Sequence, residues 1–420
     1  MTGWRTWTLG ILAAVVACAL VAASSPLGLD YLAPPCDPQI CDDPGPAIHA
    51  LAHGDLKGFF ASQPPMGSFS LALRAPAALI GGDSDLLVYR LGVFICLLGA
   101  GLLAVWLAVT LIRRERPWTL WALVSAAVVI NPLTYQAARY GHPEEVLAAA
   151  LCAGAVLAAG RRRWLLAGAL LGCAIATKQW SALAVLPALL AAPAGTRVRL
   201  GLTCAALVAV FTVPMLAGDP GRFRAAQEKV STTADYTYTV TASNVWWRFA
   251  TESTGRGTDE NGQAKLLTQY SLPASFGRAV HLGVIAVALL LSVLYWRRRA
   301  ARSPDDALLL LALLLLLRGM LDPLTVSYHH VPFLVALLLY EGLRRPIPVM
   351  SAYAIGGALL LTQAIAPSGD PALVNAFYLA WTIPLAGAMA VSLFAPTVAS
   401  GGWLGVSRPR RAMYGRSSSQ

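Results

Sequence analysis

Apolar runs long enough to cross a bilayer alternate with short arginine clusters along most of this chain. The first run, about residues 7–23, follows Arg5 and ends in small residues. It reads either as a leader cleaved near residues 22–25 or as an uncleaved first helix, and the polytopic pattern that follows favours the helix. Residues 66–80 carry Arg74 and Pro76 and stop at Gly81-Gly82. That run is short for a span, which predicts an interfacial or re-entrant helix. Spans are predicted at residues 86–112, 118–135, 145–159, 200–217, 278–296, 306–321, 330–343, 346–364 and 372–395.

Residues 164–193 break this rhythm, because Arg clusters flank both ends while Lys178 interrupts the middle. Both ends on one side with a charged centre predicts paired half-helices meeting inside the membrane. Irregular backbone at that depth is tolerated only where it is buried in protein or lines a wet cavity, so Lys178 is expected to point into one. Two long polar stretches, 25–85 and 218–277, predict large loops, and within the second, residues 251–263 are expected to form a mobile loop. The expected fold is an all-α polytopic membrane protein: one integral domain over 1–420, a bundle of about 11–12 hydrophobic helices, and a basic tail at 398–420.

Composition agrees, with 57% hydrophobic and 13% charged residues. A soluble chain of this length could not bury that much apolar surface. The net charge of +11 would suggest nucleic acid in a soluble domain, but here its distribution decides. The clusters at Arg113–Arg116, Arg161–Arg163, Arg197–Arg199, Arg297–Arg302, Arg344–Arg345 and Arg408–Arg416 fall on one side when alternate connections are cytoplasmic, which is the positive-inside pattern. Nucleic acid is not needed, both termini are expected in the cytoplasm, and both large loops are expected outside. Arg, at 28 against 4 Lys, with abundant Ala, Leu and Gly, points to a bacterial plasma membrane. Of the seven cysteines, Cys36 and Cys41 lie in the first loop, as a disulfide or as two thiols.

Candidate chemistry gathers in three groups expected on one membrane face. The first holds Asp42, Asp43, His49, His53, Asp55 and Lys57; the second, in a turn at 136–145, holds Arg139, His142, Glu144 and Glu145; the third runs from Arg318 through Asp322 to Tyr328, His329 and His330. Ionisable groups near a membrane interior are costly and usually functional, although polar residues also collect at the ends of any spanning helix. Trp246 and Trp247 suit either stacking on a sugar or an aromatic belt. Asp83-Ser-Asp85 has the form of a metal-binding motif or of a solvated helix start. No zinc spacing, phosphate-cradling glycine loop or serine-nucleophile motif is present, and no cofactor is expected.

The order of these features resembles the GT-C glycosyltransferases. An outer acid is followed by an aliphatic helix ending in Gly54-Asp55 and then by the aromatic, Pro-containing stretch Phe59-Phe60-Ala-Ser-Gln63-Pro64-Pro65. Gly141-His142-Pro143-Glu144, Ala176-Thr177-Lys178, Asn244-Val-Trp246-Trp247 and Tyr328-His329-His330 extend the likeness to the polyprenol-phosphate-mannose-dependent enzymes of glycosyltransferase family 87. The resemblance implies a polyprenyl-phosphate sugar donor, a lipid or glycan acceptor and inversion, with Asp42 or Asp43 as general base. It implies Lys178, Arg318, His329 and His330 around the donor phosphate. The residues His53, Asp55, Gln63, Arg139, His142, Glu144, Asn244, Trp246 and Trp247 would then line the substrate site. Pro44-Gly-Pro46 stands where the family places an aromatic residue, so the choice between the two acids stays open. A transporter or flippase for a lipid-linked sugar and a pentosyl (arabinofuranosyl) transferase are the rival readings; the absence of an internal repeat weighs against the transporter.

Overall fold

A computed structural model describes residues 3–28, 44–62, 67–232, 238–258, 264–298, 303–323 and 325–395. Asp42, Asp43, Cys36, Cys41, Gln63 and the basic tail lie outside them.

Three short helices form the centre: α8 (Glu144–Gly160), α14 (Asp306–Leu321) and α15 (Val331–Arg344). Their faces are apolar all round, and every residue from Asp306 to Leu316 and from Val331 to Leu343 is buried. Around them stand longer helices: α1 (Gly3–Ser24), α5 (Asp85–Arg113), α11 (Arg197–Gly218), α13 (Ala274–Arg298) and α17 (Pro371–Phe394). These expose leucine, valine and isoleucine outward, among them Leu12 and Val16 on α1, Leu202 and Val210 on α11, and Leu282 and Leu289 on α13. Apolar surface on that scale suits lipid and would be unstable in water. Seven helices among the described residues are long and apolar enough to cross a membrane, so the chain is an all-α polytopic membrane protein.

Inside a bilayer, helix association relies on close packing because lipid is as apolar as leucine. Gly168 and Gly172, one turn apart on α9 (Trp164–Ile175), supply it. A Cβ on Gly168 would lie 2.7 Å from the Leu200 carbonyl oxygen, and one on Gly172 would lie 2.8 Å from that of Cys204.

The run at 118–135 is divided. α6 (Trp118–Val129) stops, and Asn131 caps α7 (Pro132–Arg139), its side chain accepting from the Thr134 amide, with Pro132 at the first helical position. Residues 136–139, expected in a turn, are therefore helical. Near the N-terminus α2 (Gly45–Ala52), α3 (Leu56–Ser62) and α4 (Ser68–Gly81) form a small helical unit on α5.

One expectation is corrected. Residues 251–258 are a strand, β2 (Thr251–Thr258), paired antiparallel with β3 (Ala264–Leu272), which also pairs with β1 (Tyr238–Thr239). The threonines and the glycines at 255 and 257 read as loop residues, but β-branched threonine also fits a pleated strand, and pairing along the whole of β2 satisfies the backbone groups on its edge facing β3.

α9 and α4 meet end to end. The Gly67 amide donates to the Thr177 carbonyl at 2.9 Å and the Phe69 amide to the Ala176 carbonyl at 3.1 Å. Each helix end would otherwise leave these groups unpaired, so the two ends satisfy one another. A Cβ at residue 67 would overlap the Ala176 carbonyl oxygen. Gly67→Ala is expected to cost about 2 kcal/mol, as overpacking of a closely fitted site does. A lowered melting temperature in detergent checks it, beside Gly195→Ala, where a Cβ meets open space.

Candidate active site

At the end-to-end junction of α9 and α4 the chain places a buried ionic cluster. Glu144, at 0% exposure, is its centre. The Lys178 Nζ lies 2.9 Å from Glu144 Oε1, the His142 Nδ1 lies 3.0 Å from the same oxygen, and an Arg74 Nη1 lies 3.6 Å from Oε2. Lys178 also lies 3.5 Å from Glu145 Oε1.

Local sequence explains each position. Gly141 turns the chain at φ 92°, and Pro143 starts α8, so Glu144 and Glu145 occupy its first turn. The positive end of the helix dipole favours carboxylates there. α9 stops at Ile175, where the Thr177 hydroxyl donates to the Cys173 carbonyl; Lys178 is extended, and a 3-10 turn, Gln179–Ala184, leads into α10 (Val185–Ala191). A lysine in extended backbone between two helices can reach sideways into the protein, which the interior of a continuous helix would not allow. Arg74 comes from α4 and passes Gly92 of α5, where a Cβ would stand 3.0 Å from its Nε.

The cluster continues across the bundle. Arg318, near the end of α14, lies with its guanidinium carbon 5.2 Å from the centre of the Trp180 ring, two residues from Lys178, and its Nε is 4.0 Å from Asp322 Oδ2. Its Nη1 is buried without a hydrogen-bond partner. The Tyr328 ring packs 4.8 Å from His142, 5.7 Å from Tyr140 and 4.7 Å from His329, closing one side with aromatic faces. Enclosure holds His329 well below the ordinary histidine range, and the nearby charge of Arg318, Lys178, His142 and His330 acts in the same direction.

Other expected site residues have local roles. The two histidines at 329 and 330 diverge, because successive residues of a 3-10 turn are about 120° apart. His330 Nε2 lies 2.9 Å from the Tyr378 hydroxyl, and its ring packs with Phe333 and Trp381, tying α15 to α17. His53 is exposed, with Nδ1 2.9 Å from the His49 carbonyl. Asp55 accepts from the Gly58 amide at the start of α3, and Arg139 is exposed at the end of α7. Asn244 donates to the Asp322 carbonyl at 2.6 Å, and the Trp246 indole donates to that of Leu321 at 2.6 Å. These two fasten the 240–249 strap over the end of α14 that carries Arg318. Trp247 packs against Tyr270. Ser84 caps α5, accepting from the Leu87 amide, so the Asp83-Ser-Asp85 stretch opens a helix. Among the described residues no group of three His, Cys, Asp or Glu could hold a metal ion.

Lysine and arginine thus gather at a broken helix of an all-α membrane protein, beneath an aromatic wall. The glycosyltransferase family 87 model matches residues 64–321, more than half of the chain, and the chain belongs to that family. The match covers Arg74, His142, Glu144, Lys178 and Arg318. No curated protein matches the chain. Sequence reasoning read Arg74 only as a defect in a short span. The signal that could have found it was the charge itself, an arginine inside an apolar helix with no neighbour of opposite sign in sequence.

The depressed His329 gives a pH prediction. The folded protein keeps this imidazole neutral, whereas the unfolded chain binds a proton below its ordinary value of 6.5. The unfolded state therefore binds more protons in that window, so stability is present above pH 6.5 and falls as the pH drops below it. Melting temperatures at pH 7.5 and 5.5 should fall more in the wild type than in His329→Gln.

Proposed function

We propose that this glycosyltransferase moves a hexose, mannose, from a polyprenyl-phosphate donor to a hydroxyl of a lipid or glycan acceptor at the outer face of a bacterial plasma membrane, with inversion. Asp42 or Asp43 takes the proton of the acceptor hydroxyl as its oxygen attacks the anomeric carbon. The bond from that carbon to the phosphate oxygen breaks, and polyprenyl phosphate leaves with one more negative charge than it carried as a diester.

The observation that carries this reading is the presence, in a family of sugar transferases, of two little-exposed cations at the helix break: Lys178 within it and Arg318 against the ring of Trp180, two residues on. Charge appears on the departing phosphate in the transition state, and preorganised cations stabilise that state more than the bound donor. Arg318 Nη1, buried without a hydrogen-bond partner, suits a phosphate oxygen. Neutral His329 adds a donor or an acceptor without adding charge. Glu144 is a poor candidate for the base, because Lys178, His142 and Arg74 already surround its oxygens. An apolar cleft of about 470 Å³ between α9, α10 and α11, lined by Leu171, Ile175, Val185, Leu189 and Val208, begins beside the break and suits part of an isoprenoid chain. The arginine clusters between the spans favour an outer location for this end of the bundle.

Transfer from radiolabelled polyprenyl-phosphate mannose should be abolished by Asp42→Asn or by Asp43→Asn, and Lys178→Met should lower it about 10²-fold or more, as loss of a transition-state donor does. Full transfer by both aspartate variants would overturn the base assignment. Transfer only from another polyprenyl-phosphate sugar would overturn mannose and keep the mechanism.

A further inference from the structure

Arg74 reaches the cluster through Glu144. It is 0% exposed and sits on α4, with its Nη1 3.6 Å from Glu144 Oε2 and its guanidinium against Gly92. Lys178 is placed differently. Its ammonium stands between two carboxylates, 2.9 Å from Glu144 Oε1 and 3.5 Å from Glu145 Oε1. One cation between two buried anions leaves a net negative site, which would repel a phosphate. Arg74 supplies the missing charge: with it, two cations face two carboxylates, and Arg318 is balanced separately by Asp322 at 4.0 Å. His142 and His329, when neutral, leave this balance unchanged.

We propose that Arg74 is a positioning residue that neutralises Glu144 from behind, so that the Lys178 ammonium stays available to a phosphate group of the donor. The inference rests on the reading of Lys178 as a phosphate-binding group. Arg74 does not touch the substrate in this scheme. It sets how much of the charge on Lys178 the two carboxylates consume.

Removing Arg74 leaves Glu144 competing with the phosphate for Lys178 at low dielectric, where an uncompensated charge acts strongly. Arg74→Met is expected to weaken binding of farnesyl phosphate by the detergent-solubilised protein about tenfold, and to lower kcat/KM for the donor by about tenfold or more, since the charge of Lys178 counts most in the transition state. The double variant Arg74→Met, Glu144→Gln removes one charge of each sign. It should bring affinity back to within about threefold of wild type, a non-additive result of the kind expected for coupled neighbours. A role in stability alone would lower the melting temperature and leave the affinity of the folded protein unchanged.

Where Arg74→Met does not insert, Gly92→Ala displaces the same guanidinium without removing it and should weaken farnesyl phosphate binding in the same direction. Wild-type affinity in folded Arg74→Met or in Gly92→Ala overturns the proposal, as does a double variant no better than Arg74→Met. Lys178→Met separates the two levels. If it binds farnesyl phosphate like wild type, the phosphate reading itself fails; if it loses binding while Arg74→Met does not, the role of Arg74 alone fails.

Discussion

A carboxylate removed from water must be paired, and the pairing of Glu144 organises one end of this molecule. Stripping a partner from a buried ion pair costs about 3–5 kcal/mol, because the remaining charge has no compensation. Glu144 therefore holds together whatever carries its partners: α4 through Arg74, the turn before α8 through His142, and the break after α9 through Lys178. These elements are distant in sequence, and the charge is what they share. The break itself is held by backbone, with the carbonyls that end α9 accepting from the amides that open α4. A neutral cluster at a helix break is stable when empty, yet it leaves cations within reach of an anion.

The rest of the fold serves that arrangement. Largely buried α8 and α14 bring Glu144 and Arg318 to the same end of the bundle, and Trp180 bridges the second to the break. The strap anchored by Asn244 and Trp246 fixes the turn after α14. Asn375 of α17 fixes the strap in turn, donating to the carbonyls of Ala242 and Asn244 at 2.9 and 2.7 Å. Hydrogen bonds to backbone carbonyls at this density mark a rigid support, as a site that stabilises charge in a transition state requires.

Much of the bundle was legible because a bilayer allows few solutions: apolar runs must be helices, and the runs at 86–112, 306–321 and 372–395 became α5, α14 and α17 nearly residue for residue. The interruption at Lys178 was legible for the same reason, since charge in an apolar run demands a special place. Sequence could not place Arg74 against Glu144, because residues 74, 144 and 178 meet only through tertiary packing. It also assigned His329 and His330 one role where the turn sends them in different directions. The β2 strand was hidden by its composition, since Thr and Gly suit a loop as well as a paired strand, and only the partner β3 decides between them.

The most direct test of the central claim is a structure of the membrane-embedded protein bound to a non-reacting polyprenyl-phosphate sugar analogue. Phosphate oxygens should lie within hydrogen-bond reach of Lys178 Nζ and the Arg318 guanidinium, with Glu144 still held by Arg74 and the anomeric carbon facing the segment that carries Asp42 and Asp43. A phosphate bound away from both cations, with the cluster closed over an unchanged Lys178–Glu144 pair, would contradict it.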